Sequence, residues 1–342
     1  MTALRSLWEL SLALCLFAAL ALLLLLFARL AATRSTGRRG AARTRLLPLL
    51  LDGDTAKLER LSGVNLEVAA ELSVELAEMT RGSEREELLA RAAALGVPAY
   101  LSKRMRSLSA QVRLSAIEAL SMFNDCQAES LKALDDRNPD VRLGAALALA
   151  QRSAAPPPLT LLRKLSAGQE ENSLLLVSLI ADLAETDVEA VAGLLFEKDL
   201  SQRAKVAAID ALAQRGGEYA PLLTYMARKS IDESDVQPRL FRALGRTGHP
   251  AAAKAIIEGM QSDNWTVRVA AAEAAGKAGI LQAADRLGDL LDDSNYWVRY
   301  RASEALLRLG PRGIQVLRAA SASDDVLVAG TATKMLREGK AA

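Results

Sequence analysis

A single histidine, His249, and two cysteines, Cys15 and Cys126, are all the chain offers toward metal ligation or thiol chemistry. Cys126 has no second ligand at useful spacing, which excludes a His/Cys zinc site. A Ser–His–Asp arrangement would have to use His249, and no GxSxG elbow supplies the nucleophile. His249 stands in RTGHP just ahead of a predicted helix, where a lone histidine reads as a turn residue. A GxxxxGK phosphate cradle is missing as well, because the glycines come about one per repeat and serve as helix stops. The charge-rich SEREEL (83–88) and IDESD (231–235) read as solvated faces, with attraction of basic partners as the other reading. No catalytic residue, cofactor site or metal site is therefore assigned, and the chain is expected not to be an enzyme.

What remains is recognition chemistry. Aromatic residues make up only 4% of the chain, yet Trp265, Tyr296, Trp297 and Tyr300 fall in two consecutive repeats. Trp265 and Tyr296 occupy equivalent places, two residues before a valine, where Pro139 stands in an earlier repeat. Stacking is expected to bring them together on the edge formed by the turns between helices. Trp and Tyr are common anchors of protein interfaces, so Trp265, Tyr296 and Trp297 form the candidate partner-binding patch. The other reading is that they cover the ends of the core as Pro139 does, with Asn264 and Asn295 shaping turns.

The elements that carry these rings recur. The stretch Val298–Gly310, VRYRASEALLRLG, has versions from about residue 84 onward, starting at Glu84, Val112, Val141, Asn172, Ala204, Val236, Val267, Val298 and Val328. Twelve residues after these starts stand Gly96, Asn124, Ser153, Ala184, Gly216, Gly248, Gly279, Gly310 and Lys340. Gly and Asn are the residues that take the left-handed position ending a helix. Pro98, Pro156–Pro158, Pro221, Pro250 and Pro311 follow several stops, where proline suits the first turn of the next helix. Each repeat thus reads as two antiparallel helices. In the Val298 copy, Val298, Ala302, Ala305, Leu306 and Leu309 form one helical face, and small alanines let helices approach closely. High Ala and Leu content points to an all-α protein.

The motifs NPDVRLGAALALA (138–150), NWTVRVAAAEAAGKAG (264–279) and NYWVRYRASEALLRLG (295–310) resemble HEAT repeats, of the short kind seen in phycobilin-lyase-related proteins. The resemblance implies a right-handed α-solenoid of tandem antiparallel helix pairs whose curved surface binds other macromolecules. It also implies a hydrogen-bonded ladder between repeats, made by an Asp and a basic residue six positions apart. Those pairs are Asp136 with Arg142, Asp199 with Lys205, and Asp293 with Arg299. Ser107 and Ser262 stand six residues before Arg113 and Arg268, so interruptions of the ladder are expected there, unless Asp263 substitutes.

Ahead of the repeats, Leu10–Ala28 is an uncharged apolar run of 19 residues, about 28 Å as a helix. Trp8 flanks one end, and Arg29, Arg34, Arg38, Arg39, Arg43 and Arg45 follow the other. The positive-inside rule then predicts a single-pass chain of the inner or plasma membrane, N-terminus outside and repeats in the cytoplasm. A cleaved signal peptide is the rival, opposed by the long apolar core and the positive charge just after it. Cys15 lies in this run and Cys126 in the repeats, so they are expected not to pair, a usage compatible with a reducing compartment.

The expected organisation is a transmembrane anchor over 1–31, a basic juxtamembrane linker over 32–45 and a HEAT-like solenoid over 46–342, with 46–82 a divergent cap. Thr33–Arg45 is read as too polar and Gly-containing to pack; it sets topology or is attracted to anionic headgroups. Residues 46–342 hold 36 basic and 40 acidic side chains, net −4, which does not indicate a nucleic-acid surface. The function these features predict is a membrane-tethered scaffold or adaptor for a protein partner such as another membrane enzyme or transport complex, with no cofactor. The alternative is an enzyme related to bilin lyases or to HEAT-like DNA glycosylases.

Overall fold

The computed structural model describes residues 16–18, 20–24, 37–51, 60–124, 127–165, 173–230 and 235–341. All regular structure among them is helical. The chain divides into two compact units, Met1–Ala148 and Leu149–Ala342.

The single-pass placement, with an outside N-terminus and a cytoplasmic repeat domain, is corrected: among the described residues no helix is long and apolar enough to cross a membrane. Of the apolar run only 16–18 and 20–24 are described, and Cys15 and Cys126 lie outside the described residues.

In the first unit, helix α1 (37–51) precedes α2 (Gly63–Met79), α3 (Gly82–Ala94), α4 (Val97–Arg104), α5 (Ala110–Leu120) and α6 (Gln127–Ala133). Helix α1 packs over residues 37–45, the described part of the run that was expected not to pack. Its Ala42, Leu46 and Leu50 recur every four residues, one face, and are buried in a cluster with Val68 and Leu72 of α2 and Leu88 and Ala92 of α3. The arginines that made the run look like a linker lie on the outer face, where Arg39 pairs with Glu67 and Arg43 with Glu75 of α2. Arg91 of α3 donates to the carbonyls of Leu50 and Leu51 at 3.1 and 2.6 Å, closing the end of α1. Helix α1 therefore crosses the expected boundary at residue 45.

Helix α7 (Pro139–Ala150) leads into the second unit. There α8 (Pro158–Leu165) and α9 (Ser173–Thr186) are followed by the pairs α10 (Val188–Gly193) with α11 (Gln202–Gln214), α12 (Ala220–Lys229) with α13 (Val236–Thr247), and α14 (Ala253–Gly259) with α15 (Trp265–Lys277). Then come α16 (Ala284–Asp289) with α17 (Tyr296–Arg308) and α18 (Pro311–Ser321) with α19 (Val326–Ala341). The second helices α9, α11, α13, α15 and α17 pack side by side, and each first helix packs on its own second helix. This is a HEAT-like solenoid arrangement.

Gly96, Gly216, Gly248, Gly279 and Gly310 all have positive φ, as the stop positions require, and Ser153 joins them at 53°. The other three positions differ. Asn124 is not among the described residues with positive φ, while Ala184 and Lys340 lie within α9 and α19, which run past them.

Glycine also sets how near the second helices come. A Cβ on Gly245 would lie 2.6 Å from the Ala274 Cα, and one on Gly276 2.7 Å from the Ala305 Cα. The backbones of α13, α15 and α17 thus approach through Gly–Ala contacts repeated once per repeat.

Candidate protein-interaction surface

The ladder residues fix the turns that carry the aromatic patch, but they join differently from the expected pairing. The Arg113 Nε and Nη2 each donate to the Asp136 carboxylate at 2.8 Å, while its Nη1 donates to the Ser107 and Leu108 carbonyls. Arg268 repeats the arrangement, with its Nε and Nη2 2.7 and 2.9 Å from the Asp293 carboxylate and its Nη1 on the Ser262 and Asp263 carbonyls. Arg142 and Arg299 use Nη1 on the backbone carbonyls of Asp136 and Asp293, at 3.0 and 2.7 Å.

The six-residue spacing is thus an arginine reaching a backbone carbonyl, which any residue provides. Hence Ser107 and Ser262 interrupt nothing. The true rung links an aspartate side chain to the arginine of the preceding repeat. Sequence reasoning passed over Arg113 and Arg268 because it asked for the carboxylate six residues away. Asp199 stands ahead of α11 and Lys205 in its first turn, the places that correspond.

Asp136 and Asp293 also accept the N–H two residues on, from Asn138 at 2.8 Å and Asn295 at 2.9 Å. The hydrogen bonds from Arg113, against burial, hold the Asp136 carboxyl below the usual range. For Asp293, burial pushes upward and is overcome by Arg268, the Asn295 N–H and the Arg299 charge, so it too is lowered.

A carboxylate lowered on folding contributes stability that is fully present above its unfolded value, about 3.9 for Asp, and is lost as pH falls through the folded value. The urea midpoint is therefore expected to stay level from about pH 7 to pH 5 and to fall steeply below about pH 4. Glu118 and Asp182, both raised first by burial, work with the opposite sign and delay that fall. An Asp293→Asn variant should lose part of the acid limb. A limb identical to wild type would show that the rung carries no proton linkage.

The aromatic patch sits on the first turns that these rungs fix. Asn264 and Asn295 cap α15 and α17, their side-chain oxygens accepting from the Thr266 and Trp297 N–H at 2.9 Å each. Trp265 and Tyr296 are therefore the first helical residues of α15 and α17, exposed by 43% and 53%, with Trp297 also at 53%. Tyr296, Trp297 and Tyr300 form a ring cluster with centroids 5.5–6.3 Å apart, and Arg299 lies over Tyr296 at 5.9 Å. Trp265, on the first turn of α15, takes part in no ring contact among the described residues.

The same edge continues in a repeat that carries no aromatic residue at these places. Asp325 caps α19 through the Leu327 and Val328 N–H, which leaves Val326 86% and Leu327 46% exposed at the equivalent places. Equal spacing from Val298 was the only clue. His249, as expected, shapes a turn, its Nδ1 accepting from the Ala251 N–H at 3.2 Å.

Residues 188–276, 220–307 and 254–337 match the family model of HEAT repeats. No curated protein matches the sequence. Among solved structures the chain is similar to Kap121p bound to Ste12p, with a TM-score of 0.51, 15% identity, and coverage of 87% of this chain and 39% of that one. The complex of Kap121p with Nup53p gives 0.50 at 15% identity, covering 86% and 39%. The chain thus spans about two fifths of the length of these structures. At such identity the likeness is one of fold. The family-model matches fall within the second unit, whose stacked helix pairs form a HEAT-like solenoid.

Proposed function

We propose that the chain is a non-enzymatic scaffold or adaptor that binds a protein partner along the turn edge of its HEAT repeats. One observation carries this reading. Three consecutive second helices begin with exposed apolar side chains, Trp265 on α15, Tyr296 and Trp297 on α17, and Val326 and Leu327 on α19. Covers over core ends would be buried beneath the turns, whereas these side chains face water, and Trp and Tyr are enriched among residues that dominate binding energy. Kap121p, whose fold this chain shares, is described bound to the proteins Ste12p and Nup53p, which supports protein recognition by such an array.

The test is a photo-crosslinking amino acid at position 297 of the full chain, with a matched control at exposed Lys254 on α14. A single partner captured from 297 but not from 254, and lost in Trp265→Ala with melting unchanged, is the expected result. Trp265→Ala and Trp297→Ala variants that lose the fold and show no specific binding defect would return these rings to a structural role.

A further inference from the structure

A second surface of the same repeats differs from the aromatic edge in chemistry. On α13 the residues exposed or half-exposed before its final Thr247 are Arg239, Arg242 and Arg246, at the i, i+3, i+7 spacing of one face. Neighbouring helices add Lys277 on α15 and Arg301 and Arg308 on α17. Three carboxylates sit lower in this layer, Asp210 on α11, Glu273 on α15 and Glu304 on α17, with side chains 10%, 19% and 24% exposed.

Each carboxylate is clamped by two of the cations. Arg239 and Arg246 hold Asp210, the latter at 2.6 Å. Lys277 and Arg242 lie 2.6 and 3.7 Å from Glu273, and Arg301 and Arg308 lie 2.6 and 2.8 Å from Glu304. Six cations against three carboxylates leave a local excess of three positive charges. The cations remain 35–46% exposed although each is held by a carboxylate, and Arg301 also lies over the Tyr300 ring at 5.7 Å.

We infer that this face of α11, α13, α15 and α17 binds an acidic polypeptide segment. Adjacent helices lie roughly 10 Å apart, so the cations of α13, α15 and α17 span about 20 Å. An extended chain rising about 3.3 Å per residue crosses that distance in about six residues. Its Asp and Glu side chains meet the open sides of the guanidinium groups, which clamping has already positioned, so little side-chain ordering remains. Its backbone N–H groups suit the three interspersed carboxylates.

This inference rests on reading the chain as a protein-binding array, and its test separates the two surfaces. Binding of fluorescent octaglutamate and octaglutamine peptides to the full chain is measured by anisotropy. Octaglutamate is expected to bind at least tenfold more tightly at about 50 mM salt and to weaken at least tenfold by about 300 mM, since exposed charges are screened over a few ångströms as salt rises.

The triple variant Arg242→Gln, Arg246→Gln, Arg308→Gln should abolish the preference, while the corresponding triple lysine variant retains most of it. Circular dichroism melts of both confirm the fold. Trp265→Ala with Trp297→Ala should leave octaglutamate binding unchanged, so failure of the aromatic edge and failure of this face give different patterns. Equal binding of the two peptides, or unaltered binding by a folded glutamine triple, overturns the inference. Tighter binding of a 20-base-pair duplex than of octaglutamate at the same salt also overturns it.

Discussion

Replacing Gly313 by alanine is expected to destabilise the last repeats by about 3 kcal/mol or more, since overpacking against rigid neighbours reaches the upper end of the usual range. The added Cβ would lie 1.8 Å from the Leu306 carbonyl oxygen and 2.6 Å from its carbonyl carbon, so backbone, not a flexible side chain, must give way. Gly313 stands in the first turn of α18, where the helix crosses α17, and the two can accommodate a methyl only by separating. Separation would loosen the packing of the fully buried Leu306 and Leu317. In an array where each repeat contacts only its neighbours, the loss should be local. Hydrogen exchange should therefore rise first in α17, α18 and α19, while a global melt falls by roughly 6–12 °C, at about 2–4 °C per kcal/mol for a unit of this size. Wild-type exchange in α17–α19 of Gly313→Ala would show that the crossing is not tight.

Asp293→Ala should cost about 3 kcal/mol, because removing one member of a buried pair leaves the other charged and unpaired. The Asp293 and Arg268 side chains are only 8% and 16% exposed, and the carboxylate also receives the Asn295 N–H. Its loss frees the first turn of α17, and with it Tyr296 and Trp297. A double-mutant cycle with Arg268→Ala separates the pair from its parts. Each single variant should lower stability strongly, and the double variant should cost much less than their sum. Additive losses would mean that the two residues act independently. Asp136 with Arg113 offers the same cycle in the first unit, bonded in the same way.

Much of this architecture was legible in the residues. Helix stops fell where glycine recurred, because a left-handed backbone conformation is local and glycine alone adopts it without strain. Ser153 adopts it too, although its type gives little warning. The places that failed were governed by neighbours. Ala184 and Lys340 do not end their helices, and nothing in their type required them to.

Helix α1 shows how composition misleads. The spacing of Ala42, Leu46 and Leu50 was visible, yet the surrounding arginines suggested a chain that could not pack. A helix separates the two sets onto opposite faces, and Glu67 and Glu75 receive two of those arginines. The charged face of the second helices shows the same limit. A net charge of −4 over residues 46–342 is a sum, and stacking of α11, α13, α15 and α17 concentrates six cations on one side.

Residue types and their spacing were enough for the all-helical class, the glycine-marked helix ends and the aromatic first turns of α15 and α17. Periodicity and backbone preference act within a few residues, so a linear reading reaches them. Packing of one repeat on the next sets which arginine holds which aspartate and where Gly245 and Gly276 admit a neighbouring backbone. These contacts join residues about 23 to 29 positions apart, which no linear pattern relates and only stacking brings within reach.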